Sequence, residues 1–251
     1  MDPFGHLLKH WRSRRRYSQL DLAVAANVSS RHISFLETGR SQPSRAMVLQ
    51  LSEVMDVPLA ERNALLASAG FSVAYVERAA DSRDLQFVRE AIAWTLERHD
   101  PYPAIAFDRH WRVRKLNRCA TALLGRLGVG EGDSLLDAFL SAGPLRDALV
   151  NWQEIARELR TRLRTESMHF GGDPVLEEAI DRLDALDDGE RNDSRAPSPA
   201  VISVEYRAGP EVLSFFSTIS QFGSAEDIAL ADLKIEMMFP ANEATRRALL
   251  D

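Results

Sequence analysis

Arg31 and His32 stand in a short polar run, Ser29-Ser30-Arg31-His32-Ile33-Ser34, whose donors fall on one outer face of a helix. A guanidinium fork matches the O6 and N7 acceptors of guanine, and a serine hydroxyl can bond a base edge or a phosphate. Ser29, Ser30, Arg31, His32 and Ser34 are therefore candidate base- or phosphate-reading residues. Gln19 stands at the first turn of the preceding helix, where a side chain and backbone amides can both meet a phosphate. Arg40 and Arg45 flank the loop that follows and are candidate phosphate contacts. The plainer reading of each is an exposed side chain that touches nothing. Glu37 differs: in basic surroundings it is expected to pair an arginine of the first helix rather than face an anion.

The elements that must hold these groups are short helices. Ser18 and Ser29 each precede an apolar-periodic segment and can cap it. Leu20, Ala23 and Val24 are expected to point inward from one helix, Ile33 and Leu36 from the next. Asn27 and Val28 fill the turn between them, where a short polar residue tolerates left-handed backbone. Gly39 stands where a left-handed residue would end the second helix. A first helix is predicted over 4–15, with Phe4, Leu7, Leu8, Trp11 and Arg15 on one stripe. A fourth starts at Ser44, with Met47, Val48, Leu51, Val54 and Met55 inward. Pro58 opens a fifth, which Gly70 ends.

Gln19, Leu22-Ala23, Val28-Ser29, Ile33-Ser34, Glu37, Gly39 and Pro43 together make the segment resemble the helix-turn-helix of the lambda-repressor-like XRE family. The resemblance covers roughly residues 4–70. It implies a five-helix domain, a recognition helix in the major groove and a dimer.

Charge divides along the chain as that resemblance requires. Residues 1–50 carry eight Lys/Arg against three acids, which leaves −11 for the rest of a chain whose total is −6. Neutralised phosphates release counterions, so a basic surface favours DNA. An acidic remainder is repelled from it and suits a regulatory domain. Of 251 residues 45% are hydrophobic and 27% charged, ordinary values for two globular domains with real cores. No apolar run approaches a membrane span of about 18 residues. The N-terminus lacks the apolar stretch of a secretory signal. One cysteine allows no internal disulfide and fits a reducing compartment, so a cytoplasmic location is expected.

Beyond a polar linker at 77–84 a second domain is expected over 85–251, after a first over 1–76. A helix over 85–99 turns Leu85, Val88, Ile92 and Leu96 inward. Strands are predicted at 104–107 and 111–116, joined at Asp108-Arg109-His110. Helices follow at about 117–127, 135–140, 145–165 and 174–186, then an acidic, Pro/Ser-rich insert at 187–199. Three further strands are expected at 201–207, 212–222 and 228–239, and a closing helix at 242–250. Short turns between consecutive strands favour an antiparallel sheet with one face covered by helices, and room for an apolar pocket between the layers.

Tyr102-Pro103, Phe107-Asp108-Arg109, Trp111, Leu116 to Ala120, Asn151-Trp152, Leu163-Arg164, Asp173-Pro174, Leu213 to Thr218 and Phe239-Pro240-Ala241 resemble the ligand-binding domain of MmyB-like transcription regulators. That family joins an XRE helix-turn-helix to a PAS-like sheet domain. The fold class implied is multi-domain: an all-α lambda-repressor-like head, then an α+β PAS-like domain with a five-stranded antiparallel sheet. The resemblance also implies a fatty-acid or acyl ligand. Arg164 and Asn117 match family positions and are the polar candidates for holding it. Trp111, Trp152, Phe215 and Phe239 are candidate apolar walls. The competing reading makes the aromatics plain core and Asn117 a helix cap.

No Gly-rich phosphate loop, nucleophile elbow or metal-ligand spacing is present, so catalysis, a metal and a cofactor other than a bound acyl ligand are not expected. Cys119 reads as a small buried hydrophobe. The expected protein is a dimeric, operator-binding regulator that senses a small apolar acid. In the alternative, the second domain only dimerises or docks a protein.

Overall fold

Four serines and an asparagine mark where helices begin. Ser18, Ser29, Ser44, Asn117 and Ser134 accept the N–H of Asp21, His32, Met47, Ala120 and Asp137 respectively. Each satisfies one of the amides that a helix start leaves without a partner. The computed structural model describes residues 3–79, 82–186, 201–223 and 225–250. The acidic insert at 187–199 lies outside the described residues. Two compact units emerge: Met1–Glu77 with Thr165–Pro174 and Ala225–Ile228, and Arg78–Arg164 with Val175–Ser224 and Ala229–Asp251.

The first unit is built on five helices: α1 (Pro3–Arg14), α2 (Gln19–Ala25), α3 (Ser30–Glu37), α4 (Arg45–Val54) and α5 (Leu59–Ser68). Phe4, Leu8 and Trp11 meet Leu22, Ala23, Ala26, Ile33, Leu36, Val48, Leu51, Met55, Leu65 and Leu66 in one core. Asn27 has φ 51° and Gly39 φ 72°, the left-handed turns expected on either side of α3. Gly5 is where α1 comes closest to α3: a Cβ there would stand 2.5 Å from the Glu37 carbonyl oxygen. Two expectations fail. Leu20 and Val24 point outward, 62% and 73% exposed. The buried residues of α2 are Leu22 and Ala23, followed by Ala26 at the C-cap, and seven residues are too few for periodicity to fix its face.

In the second unit, α6 (Gln86–Arg98) precedes β1 (Ala104–Phe107), β2 (Val113–Leu116) and α7 (Arg118–Gly125). Then come α8 (Leu135–Leu140), α9 (Pro144–Ala148), α10 (Trp152–His169) and α11 (Pro174–Ala185). β3 (Val204–Ala208), β4 (Glu211–Gln221), α12 (Ile228–Ala231), β5 (Lys234–Pro240) and α13 (Glu243–Leu250) complete the chain. The sheet is five-stranded and antiparallel in the order β2-β1-β5-β4-β3. Ile92 and Leu96 of α6 pack on Ala104, Ala106 and Ile235, which cover one face.

Here too the structure departs from the pattern. The helix expected over 145–165 breaks, because Leu149 bridges to Tyr206 and Val150 N–H donates to Glu205 O. Asn151 fastens the break from both ends of its amide, donating to Ser203 O and accepting from Glu205 N–H. The edge strand β3 thus takes as partner a segment whose apolar residues also fit a helical period. The last strand begins only at Lys234, since Ile228–Ala231 forms a helical turn. Trp111 is not in a strand: its φ is 60°, in a turn where Asp108 Oδ1 accepts from His110 and Arg112 N–H.

Candidate functional site

Two sets of polar side chains carry chemistry, one outside a helical unit and one inside a sheet. On the first unit, Ser29, Ser30, Arg31, Arg40 and Arg45 are exposed, and Gln19, His32 and Ser34 are half-buried. The capping box at Ser18 fixes the start of α2: Asp21 N–H donates to Ser18 Oγ (3.0 Å) and Ser18 N–H to Asp21 Oδ2 (2.9 Å). Those bonds hold the Asp21 carboxyl below the usual carboxylate range. Ser29 Oγ accepts from His32 N–H, so its lone pair caps α3 while its hydrogen can still be donated.

Glu37 sits at the heart of this unit, as its basic surroundings suggested. It is buried, and Arg12 donates to both its oxygens, Nη2 to Oε2 at 3.0 Å. Gln19 Nε2 also donates to Glu37 Oε2 at 2.7 Å. The side chain expected at a phosphate is thereby oriented by the carboxylate at the end of α3. Phe35 escaped the sequence reading. The guanidiniums of Arg31 and Arg40 lie 5.1 and 5.9 Å from its ring centroid, a cation–π arrangement on the outer side of α3. Its spacing four residues after Arg31 was the available signal. The Arg14-Arg15-Arg16 run is divided: Arg15 donates to Met55 O and Asp56 O, within its own unit.

Inside the second unit, strand register sorts the side chains. Ile105 opposes Glu236, Phe107 opposes Lys234, and Ser217 opposes Met238, so these share one face. Leu213, Phe215 and Tyr206 extend it toward the edge. Helix α10 reaches this face through Arg162, whose guanidinium lies 4.2 Å from the Trp111 ring centroid and 5.7 Å from that of Phe107. The same group is 3.7 Å from Glu236, which accepts from Ser217 Oγ at 2.6 Å. Lys234 is buried two residues away. Burial, then the charge of Glu236, pushes the Tyr206 phenol upward, so it stays a neutral donor. Two cations, one carboxylate and two hydroxyls thus line an interior otherwise made of Phe107, Trp111, Phe215 and Met238.

The candidate ligand residues fall differently from their expectation. Trp111 is buried in this cluster and Phe215 is fully buried on the same face. Phe239 lies on the opposite face, stacked on Phe216 at 5.4 Å with His99 against its edge. Trp152 packs beneath the Arg146 guanidinium, 4.7 Å away. Arg164 is 57% exposed and pairs with Asp184. Asn117 uses its whole amide: Oδ1 accepts from Ala104 and Ala120 N–H, and Nδ2 donates to Leu96 O and Tyr102 O. It locks β1, α6 and α7 together and has no donor left over. On α10 it is Arg162, not Arg164, that reaches this interior. It follows Ile155 by seven residues and Leu159 by three, on the buried stripe of α10, whereas Arg164 is off that stripe. Lys234 and Glu236 were hidden by the expectation of one solvated sheet face; α6 packs on one face and Arg162 of α10 reaches the other, where Lys234 is buried and Glu236 half-buried.

Cys119 is half-buried at α7, and burial pushes its thiol up, away from a nucleophile's range. Among the described residues no group of three or more His, Cys, Asp or Glu is placed to hold a metal ion. None of the described helices is long and apolar enough to cross a membrane.

A helix-turn-helix unit with exposed cations, joined to an α+β domain with a polar interior, defines a DNA-binding regulator with a ligand-binding domain. The comparisons agree. Residues 3–65 match the model of a helix-turn-helix domain, and residues 88–250 match the MmyB-like transcription regulator ligand binding domain. The chain belongs to the MmyB-like transcription regulators. It is similar to an uncharacterized HTH-type transcriptional regulator, RghRB, of Bacillus subtilis (strain 168): 32% identity over 113 residues, 44% of this chain and 79% of the relative. A solved RNA-binding Light-Oxygen-Voltage receptor aligns with all of this chain and 62% of its own, at 12% identity and a TM-score of 0.26, too low to support an argument.

Proposed function

We propose that this regulator binds a two-fold operator as a homodimer and is controlled by a small acid with an apolar body, a fatty acid or acyl compound, held in the PAS-like domain. Arg31 reads a base, with Ser30, His32 and Ser34 beside it. Gln19, Ser29, Arg40 and Arg45 hold phosphates. In the second domain Arg162 and Lys234 receive the ligand's anionic end, while Trp111, Phe107 and Phe215 flank its chain. The observation that supports this most is the cluster of buried Lys234 with half-buried Arg162, Glu236 and Ser217 beside aromatic walls. A buried carboxylate needs cations or several donors, and this interior supplies both. The functional division runs 1–76, 77–84 and 85–251, and the working compartment is the cytoplasm, where the operator is.

Mass spectrometry of whatever leaves the purified protein on unfolding tests the ligand. An acyl acid recovered from the wild type and lost from Arg162→Leu supports the reading. A wild type that releases no small molecule, and whose melting is unmoved by acyl acids, overturns it.

A further inference from the structure

Helix α6 carries two apolar stripes rather than one. Val88, Ile92 and Leu96 face the sheet. On the other side Phe87, Ala91, Trp94 and Arg98 recur at i, i+4, i+7 and i+11. Phe87 is 83% exposed and Trp94 61%, with the Arg98 guanidinium 5.7 Å from the Trp94 ring. Two large aromatics on one ridge are more than scattered surface hydrophobics and mark an interaction face.

We propose that this ridge is the two-fold interface between two copies of this chain. The argument is self-complementarity. When two copies of α6 lie antiparallel about an axis at Ala91, Phe87 of each meets Trp94 of the other, and the small alanine lets the backbones approach. The charges then match at both ends. Arg98 meets Asp84 of the second copy and Glu97 meets Arg83, all four being exposed. An isologous contact requires such end-to-end matching, whereas docking of an unrelated protein does not. Asp84 already receives Arg78 at 3.3 Å, which leaves its outer oxygen surface to a second cation.

The area sets the strength. Aromatic side chains bury about 150–250 Å² each, so four of them fall short of the ~1,200 Å² of a small specific interface. The two Glu90 side chains, each receiving Gln86 Nε2 at 2.9 Å, also bring like charge near the axis. The contact is therefore reversible in free protein, and it tightens when both heads occupy neighbouring half-sites, because the second contact becomes intramolecular.

The inference rests on the homodimer reading and names its surface. Sedimentation velocity of the full chain across the micromolar range, without DNA, tests it. The wild type is expected to shift from monomer to dimer with concentration. Phe87→Asp combined with Trp94→Asp should raise the dissociation constant about thirtyfold, as loss of an interface anchor does, with an unchanged melting temperature. In a Cys119→Ser background, a short bis-maleimide should link Ala91→Cys into dimers and leave Arg157→Cys unlinked. A wild type that stays monomeric throughout overturns both the dimer reading and this interface. A dimer that survives the double substitution, with Ala91→Cys unlinked, overturns this interface alone.

Discussion

The two units place their working polar groups on opposite sides of their cores. In the helical unit a single apolar core faces inward and the cations Arg31, Arg40 and Arg45 stand outside, while one buried carboxylate, Glu37, holds Arg12 and Gln19. In the sheet unit the cations Arg162 and Lys234 lie on the face that also buries Phe107, Trp111 and Phe215. An outward set reads a polyanion that comes to it through water. An inward set can hold only what the fold encloses. The same residue type, arginine, stands in both, and the difference lies in whether it is surrounded by solvent or by Leu159 of its own helix and Trp111 of the turn after β1.

The comparison predicts that the inner carboxylate of the helical unit matters most for folding. Glu37→Ala leaves Arg12 beside a buried vacancy and strips Gln19 of its acceptor; denaturant unfolding should lose about 3 kcal/mol. Next comes the interior of the sheet unit. Arg162→Leu removes a charged donor worth about 1.5–3 kcal/mol, so titration with an acyl acid should show affinity weaker by at least about tenfold. Asn117→Ala should instead lower unfolding stability and leave that affinity in place, separating a helix lock from a ligand contact. On the outside, Arg31→Ala should cost about 1–3 kcal/mol of discrimination between operator and random DNA. Arg45→Ala should weaken both alike and reduce the salt slope by about one. A footprint unchanged by Arg31→Ala would sink the base-reading assignment. The smallest effect belongs to Asp21. Its carboxyl is held low in the folded protein by the Ser18 hydrogen bonds, so its contribution is present above the unfolded carboxylate value and fades as pH falls through the folded one. Asp21→Asn should therefore flatten the acid limb of a helix-melting curve followed by circular dichroism.

Much of this was readable beforehand because caps and turns are local. Ser18, Ser29, Ser44, Asn27 and Gly39 do what their types dictate within a few residues, and the head follows. The short apolar run Ala104 to Phe107, closed by the Asp108-Arg109-His110 turn, and the β-prone run of β4 likewise revealed strands. What stayed hidden depended on partners distant in sequence. Nothing near Leu149 announces that β3 will pull it out of a helix. Nothing near Lys234 says that it will be buried, on the face that Arg162 of α10 reaches. Arg164 is marked by a short matching pair, but the position of a residue around α10 decides what it can touch, and that position favours Arg162. Asn117 shows the reverse error: an amide at a strand-to-helix junction has so many backbone neighbours that none of it remains for a guest.

Phe35 gives the head one further property. Two long flexible cations lean on its ring, and each would otherwise wander through many rotamers. The folded chain has narrowed that wandering in advance, so on the proposed reading, with Arg31 at a base and Arg40 at a phosphate, both tines are already set before DNA arrives.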